Sequence, residues 1–288
     1  MNKTNEHTPL FLQEISAFLK QRQISEVIDA TFAEGGHGLS LAKAGITVLG
    51  IEADEEMFRV GQDKVKQSGL NTVSLVLDNY CNLEKIAQNQ FPKKVGAIIM
   101  DLGLSMYQLK HSQRGFSDLR QASLDLRLST KQKLTAADWL KSSPKPILED
   151  LLTRYLESPH SLSLVKRILA TRQTKPILSV SDLREVINSL GLAKKEAQSL
   201  LRQTLQALRM IVNDEFSNNQ KALTAALSVL KENGLLIVLT YHSLEDRMVK
   251  QFAKKHSDKL RMIQKTKKNK DYQFAKSGKL RIYEKIVI

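Results

Sequence analysis

At 288 residues, 42% of them apolar and 26% charged, the chain is long enough to bury a full core and has an ordinary globular composition. No apolar run approaches the roughly 20 residues needed to cross a bilayer, and the opening residues carry no signal-peptide core, so a cytoplasmic protein with no membrane contact is expected. The net charge is +14, with 12 Lys or Arg against 3 Asp or Glu between Lys254 and Lys285, and the single Cys81 excludes an intramolecular disulfide or a multi-cysteine metal site, so no metal is expected.

Thr8 and Pro9 begin a predicted helix running to Gln21. Strand-like runs follow at Val27 to Thr31, Thr47 to Ile51, Val73 to Leu77 and Ala97 to Leu102, separated by helical segments at Leu39 to Lys43, Glu55 to Gln67 and Leu83 to Asn89. Short buried strands alternating with helices predict an α/β fold with a parallel sheet covered on both faces. From Tyr107 to Thr130 the chain is polar and irregular, and from Thr135 to Ala207 it reads almost wholly as helices. The strand pattern returns at Gly234 to Tyr241, after a helix for which Gly234 is the expected stop, and "KLRIYEKIVI" alternates like a last edge strand. The predicted organisation is a sheet domain over 1–106 and 208–288, interrupted by a mainly helical, substrate-recognising insertion over 107–207.

The basic stretch "KTKKNKDYQFAK", with Tyr272 and Phe274 interleaved, points to a polyanionic partner. Nucleic acid is preferred to anionic lipid, because no amphipathic apolar face accompanies the charge. The first strand ends at Asp29, and the stretch "DATFAEGGHG" follows it. Its glycines, Gly35, Gly36 and Gly38, do not have the G-x-G-x-x-G spacing of a dinucleotide site. Asp29 and Glu34 disfavour a pyrophosphate and favour a ligand with positive charge or free hydroxyls. Glu52 ends the second strand 23 residues after Asp29, where an acidic side chain holds ribose hydroxyls. Helix capping accounts for either acid alone, but both acids beside the glycines describe a nucleoside with a cationic end. S-adenosylmethionine fits that description better than NAD. Asp101 emerges at the carboxyl end of the fourth strand, where open α/β sheets place their chemistry.

Six segments, "HTPLFLQEI", "DATFAEGGHG", "IIMDLGLSMYQL", "RGFSDLRQASLDLRLS", "LQALRMIVNDEF" and "TYHSLEDRMVK", resemble in order and spacing the motifs of the RsmH (MraW) family. The resemblance covers nearly the whole chain to about Lys250. It implies a Rossmann-like S-adenosylmethionine-dependent methyltransferase acting on N4 of a cytidine in small-subunit (16S) ribosomal RNA, with that RNA or the assembling small subunit as partner. Carried over by position, the family's cofactor contacts fall on Gly35, Gly36, His37, Glu52, Tyr80, Asp101 and Gln108. Glu52 and Tyr80 stand where the family usually has Asp and Phe. Glu34 stands where its loop has arginine, and Leu126 and Leu128 replace two methionines beside Asp125 and Arg127.

Asp101 or a nearby backbone carbonyl, with His242 as helper, is the candidate acceptor for the amine protons released during transfer. Carbon-5 chemistry would need a cysteine nucleophile, and Cys81 lies in no suitable motif. Ser243 is the expected N-cap of a helix that carries Arg247, and His242 and Arg247 are expected at the target nucleotide. Arg114, Asp125 and Arg127 lie in the irregular segment and are assigned to substrate. Arg209 and Asn213, four apart on one helix face, are expected to contact RNA or that loop. A catalytically weak or inactive ribosome-assembly factor that binds rRNA is the alternative from another class. The oligomeric state stays open, with a homodimer as one candidate.

Overall fold

A computed structural model describes residues 9–91, 94–267 and 277–286. Its elements in order are α1 (Leu12–Gln21), β1 (Glu26–Asp29), α2 (Gly36–Lys43), β2 (Thr47–Glu52), α3 (Glu55–Ser68), β3 (Val73–Leu77), α4 (Leu83–Gln90), β4 (Val95–Asp101), α5 (Met106–His111), α6 (Ala136–Ser142), α7 (Lys145–Leu156), α8 (Ser161–Thr171), α9 (Val180–Asn188), α10 (Lys194–Val212), α11 (Glu215–Val229), β5 (Leu230–Thr240), α12 (Ser243–Lys255), β6 (Leu260–Lys267) and β7 (Lys279–Lys285). Two compact units are formed, Met1–Gly103 with Ser217–Ile288, and Leu104–Phe216. No described helix is long and apolar enough to cross a membrane.

The first unit is built on a seven-stranded sheet of order β3-β2-β1-β4-β5-β7-β6. The β3, β2, β1, β4 and β5 neighbours are parallel, while β7 runs antiparallel to both β5 and β6. The fold is therefore α/β and Rossmann-like, with a reversed strand placed between β5 and β6. Strand β4 is buried from Val95 to Met100, and Val27 and Ile28 of β1 are fully buried beside it, as expected for central strands covered on both faces. Chain order reverses between β1 and β4. In such sheets the ligand crevice opens outside the carboxyl ends of the two strands at that point.

Several boundaries differ from the sequence expectation for local reasons. Helix α1 starts at Leu12 rather than Pro9, because Phe11 at its N-cap adopts φ 59° with no side-chain cap; Thr8 lies outside the described residues. Gly234 does not stop a helix. It lies within β5 beside an irregularity in the β4/β5 register, where a Cβ would come 2.8 Å from the Lys231 carbonyl oxygen and 3.1 Å from that of Gly96. The alternating tail is β7, but the edge belongs to β6, whose exposed Arg261 and Lys265 suit an edge open to water. Most of the basic stretch beyond Lys267, with Tyr272 and Phe274, lies outside the described residues.

The second unit is helical around its own core, to which Leu148, Leu152, Leu164, Val165, Ile168, Leu183, Leu201 and Leu208 contribute. Along α10 the apolar residues recur at helical spacing, Leu201, Leu205 and Leu208 among them, and face this core. Threonine or serine caps with an acid three residues later set the starts of α6 (Thr135 and Asp138) and α9 (Ser179 and Asp182).

Candidate active site

Asp29 and Asp101 end β1 and β4 and so flank the switch point of the first unit. Asp101 is held at its backbone, whose N–H donates to Thr31 Oγ1 at 2.7 Å, and at its side chain, where Oδ1 accepts from the Tyr241 hydroxyl at 2.8 Å. His37 approaches the other oxygen, with Nδ1 3.7 Å from Oδ2. The opposite ring nitrogen, Nε2, lies 3.0 Å from the Leu10 carbonyl and donates to it, leaving Nδ1 to face the carboxylate. Burial pushes Asp101 above the ordinary carboxylate range; His37 and the Tyr241 hydrogen bond oppose this, and the nearby charges of Glu245 and Glu34 add to it. Asp29 is pushed up to about 6 by burial, partly offset by His37.

Glu52 ends β2, with both carboxylate oxygens engaged. Oε2 accepts from the Ala33 N–H and Oε1 from the Asp54 N–H, each at 2.8 Å. Even so, burial raises its pKa to about 7, because its backbone donors compensate only part of the lost hydration. Tyr80 opens a short 3-10 turn, Tyr80–Asn82, after β3, and the Asp78 N–H just before it donates to the Glu52 carbonyl. Glu34 contributes a buried Oε2 with no hydrogen-bond partner among the described residues.

The glycines of the connecting loop are accounted for by their protein neighbours. Gly35 caps α2 at φ +83°, and a Cβ there would lie 2.8 Å from Leu39 Cδ1 and 2.9 Å from Phe32 Cε1. At Gly38 a Cβ would come within 2.4 Å of Phe32 Cε2, and at Gly36 within 2.9 Å of Pro9 Cγ. The loop is drawn tight over Phe32, which fixes the backbone between Asp29 and His37.

The N-cap of α12 is His242, not Ser243. The His242 Nδ1 accepts weakly from the Glu245 N–H at 3.4 Å, while the Glu245 carboxylate turns back to accept from the Tyr241 and His242 N–H groups. The ring's Nε2 lies 2.6 Å from Glu245 Oε1, but without hydrogen-bond geometry. Arg247 lies on the exposed side of α12. Its neighbour Asp246 is held by Lys279 at 3.0 Å and Arg281 at 2.8 Å; burial alone would raise its pKa, but these cations outweigh it and the carboxyl stays below its ordinary value.

In the second unit the assigned residues form a clasp on one loop. Gln108 is buried, and its side chain accepts from the Ser105 N–H at 2.9 Å in the cap of α5. Arg114 donates from Nη1 to the carbonyls of Arg127 at 3.0 Å and Leu128 at 2.8 Å. Asp125 and Arg127 pair with each other through two hydrogen bonds of 2.6 and 2.9 Å. Asn213 is buried; its Nδ2 donates to the Leu126 carbonyl at 2.8 Å, and its Oδ1 accepts from the Leu128 N–H at 2.7 Å. Arg209 is also buried, in a pair with Glu215 at 2.7 Å. Both side chains are thus buried within the protein: Asn213 reaches the loop, and Arg209 pairs with Glu215 at the start of α11.

Sequence reasoning assigned no role to Tyr241. The available signal was positional: Asp101 pairs in register with Leu239, two residues before Tyr241, at the carboxyl edge of adjacent parallel strands.

A largely parallel sheet with Asp29 and Asp101 at its switch point defines an α/β domain of the kind that binds its ligand at that edge. The chain belongs to the MraW methylase family, whose family model matches residues 4–286. Among its curated relatives is "Ribosomal RNA small subunit methyltransferase H" of Dictyoglomus turgidum, 35% identical over 289 residues and covering 97% of each chain. The proteins of the same name from Dictyoglomus thermophilum and Caldicellulosiruptor saccharolyticus are 34% and 33% identical. They cover 97% and 88% of this chain, and 96% and 82% of their own.

Proposed function

We propose that this chain uses S-adenosylmethionine to methylate N4 of a cytidine in small-subunit ribosomal RNA, with the RNA or the assembling subunit as its partner. The observation that carries this reading is the group of carboxylates at the switch point. Asp29 and Asp101 share the imidazole of His37, Glu34 adds its charge near Asp101, and Glu34 Oε2 is buried with no hydrogen-bond partner among the described residues. Buried negative charge without a partner is costly, and a ligand bearing a sulfonium and an ammonium group relieves that cost. A pyrophosphate would add to it.

Within this reading Glu52 holds the ribose hydroxyls, the loop Gly35–Gly36–His37 holds the amino-acid end, Tyr80 offers its ring, and Asp101 and Gln108 complete the set implied by the family resemblance. When bound, the cofactor supplies an electrophilic methyl group. The lone pair of a cytosine amine is delocalised into its ring, so an acceptor that draws a proton from it favours a pyramidal, attacking nitrogen. Asp101 is that acceptor. His242 is assigned a helping role at the same rim, and Arg247 the target nucleotide.

Docking is assigned to the basic end of the first unit, where Lys254, Lys255, Lys259, Arg261 and Lys265 are all exposed. The Leu104–Phe216 unit is assigned to substrate recognition through its clasped loop, with Arg114, Asp125 and Arg127 shaping the surface that meets RNA and Asn213 fixing the loop. The test is transfer of a labelled methyl group to small-subunit RNA and to assembling subunits, followed by mass spectrometry of the modified nucleoside. N4-methylcytidine is the expected product. Cofactor binding with no incorporation into either substrate would instead favour the assembly-factor alternative.

A further inference from the structure

The phenol of Tyr241 is fixed from two directions. Its hydroxyl donates to Asp101 Oδ1 at 2.8 Å, and the backbone N–H of the same residue donates to Glu245 Oε2 at 2.9 Å. Asp101 is equally constrained, by the Thr31 hydroxyl on its N–H and by the register of β4 against β5. The two carboxylate oxygens are therefore unlike. Oδ1 is occupied by the phenol, whereas Oδ2 faces His37 Nδ1 at 3.7 Å, beyond hydrogen-bond reach. The carboxylate is one quarter exposed, so Oδ2 is the oxygen left to meet a ligand group.

We propose that Tyr241 is a positioning residue for methyl transfer: its hydroxyl occupies Oδ1 of Asp101 and presents Oδ2 as the proton acceptor for the amine being methylated. This inference rests on the methyltransferase reading above. As the amine nitrogen forms its new bond to carbon, the electron pair of the breaking carbon–sulfur bond stays on sulfur and the nitrogen holds one proton too many. That N–H bond breaks with its electron pair returning to nitrogen, and the proton forms an O–H bond at Oδ2.

Tyr241 does not itself serve as the base. Burial, followed by the charge and hydrogen bond of Asp101, raises its pKa above the ordinary phenol value, so it remains a donor at every working pH. Its hydrogen bond also favours the ionised form of Asp101, which burial and the charges of Glu245 and Glu34 oppose. A merely structural tyrosine would hold the turn but would not set where Asp101 titrates.

The test compares the wild-type chain with Tyr241→Phe. Removing a hydrogen bond to a charged group is expected to lower kcat about tenfold and to move the acid limb of the kcat profile up by about one pH unit, with KM for RNA and cofactor affinity unchanged. Carbon-13 NMR titration of the Asp101 carboxyl, assigned by its loss in Asp101→Asn, gives the same shift without turnover. If Tyr241→Phe lowers the melting temperature too far for assay, fluorotyrosine at position 241 replaces it. This stronger donor keeps the shape and should move the limb the other way. A kcat loss with an unmoved acid limb, or an Asp101 titration equal in both proteins, overturns the proposal. If wild-type protein transfers no methyl group at all, the methyltransferase reading fails, while the NMR titration still decides whether Tyr241 governs Asp101.

Discussion

The protonation of Glu52 provides a quantitative test of the cofactor site. Its carboxyl titrates at about 7, against an ordinary value of 4.5, chiefly because it is buried. A ligand that donates ribose hydroxyls to the carboxylate stabilises the ionised form and returns its pKa toward that ordinary value, so binding expels a proton below pH 7. At pH 5.5 the free site is about 3% ionised, and cofactor affinity should be about 30-fold weaker than at pH 8.5, or about 2 kcal/mol. The assay is isothermal titration of S-adenosylmethionine across that range in buffers of different ionisation enthalpy, which counts the proton released. Glu52→Gln should bind more weakly at pH 8 and lose the dependence between pH 6 and 8. A remaining slope below 6 belongs to Asp29, whose carboxyl titrates at about 6. A wild-type affinity flat from pH 5.5 to 8.5, or a Glu52→Gln variant that keeps the wild-type slope between 6 and 8, would falsify this account of the site. The ligand-free chain has the matching signature. A carboxyl whose folded pKa is raised favours folding below its unfolded value and loses that advantage as pH rises through 7, so the chain without ligand should be less stable at pH 8 than at pH 5.

Three further outcomes are expected. Arg209→Met leaves Glu215 buried without its partner and should cost about 3–5 kcal/mol in denaturant unfolding of the second unit, whereas Arg209→Met with Glu215→Leu should recover most of that loss. Gly38→Ala puts a methyl group 2.4 Å from Phe32 Cε2 and 3.3 Å from Asp29 Oδ2; it should destabilise by about 1–3 kcal/mol and lower the melting temperature. Changing Lys254, Lys255, Lys259 and Lys265 together to Ala should lower the slope of log affinity for RNA against log salt by about 3, at about 0.7 per single-strand phosphate; an unchanged slope would place the docking surface elsewhere.

The carboxylates at the switch point were legible because each is an acid placed directly after a buried apolar run. Strand polarity alone sends Asp29, Glu52 and Asp101 to the same edge. The fold class followed from the same alternation. What stayed hidden depended on pairing between distant parts of the chain. Helical spacing put Arg209 and Asn213 on one face, but the partners of Asn213, Leu126 and Leu128, lie 87 and 85 residues away, so spacing could not separate an RNA contact from a loop clamp. Alternation in the tail identified a strand but not its place, because β7 reverses direction to enter between β5 and β6. Tyr241 looked like the last apolar residue of a strand; only the register against β4 turns its hydroxyl into a partner of Asp101.

The chain as a whole is strongly basic, with a net charge of +14, while its candidate cofactor site is acidic. The two charge populations act over different distances. Exposed lysines act through solvent, within a screening length of about 8–10 Å at physiological salt, and their effect on a polyanion is set by the counterions released. Asp29 is buried and Glu52 and Asp101 are half-buried, and burial is the leading cause of each one's altered titration. Salt screens such groups little, so they respond to protons and to a cation in direct contact. Opposite charge requirements, for a polyanionic substrate and a cationic cofactor, are thereby met in one basic protein without the lysines neutralising the site.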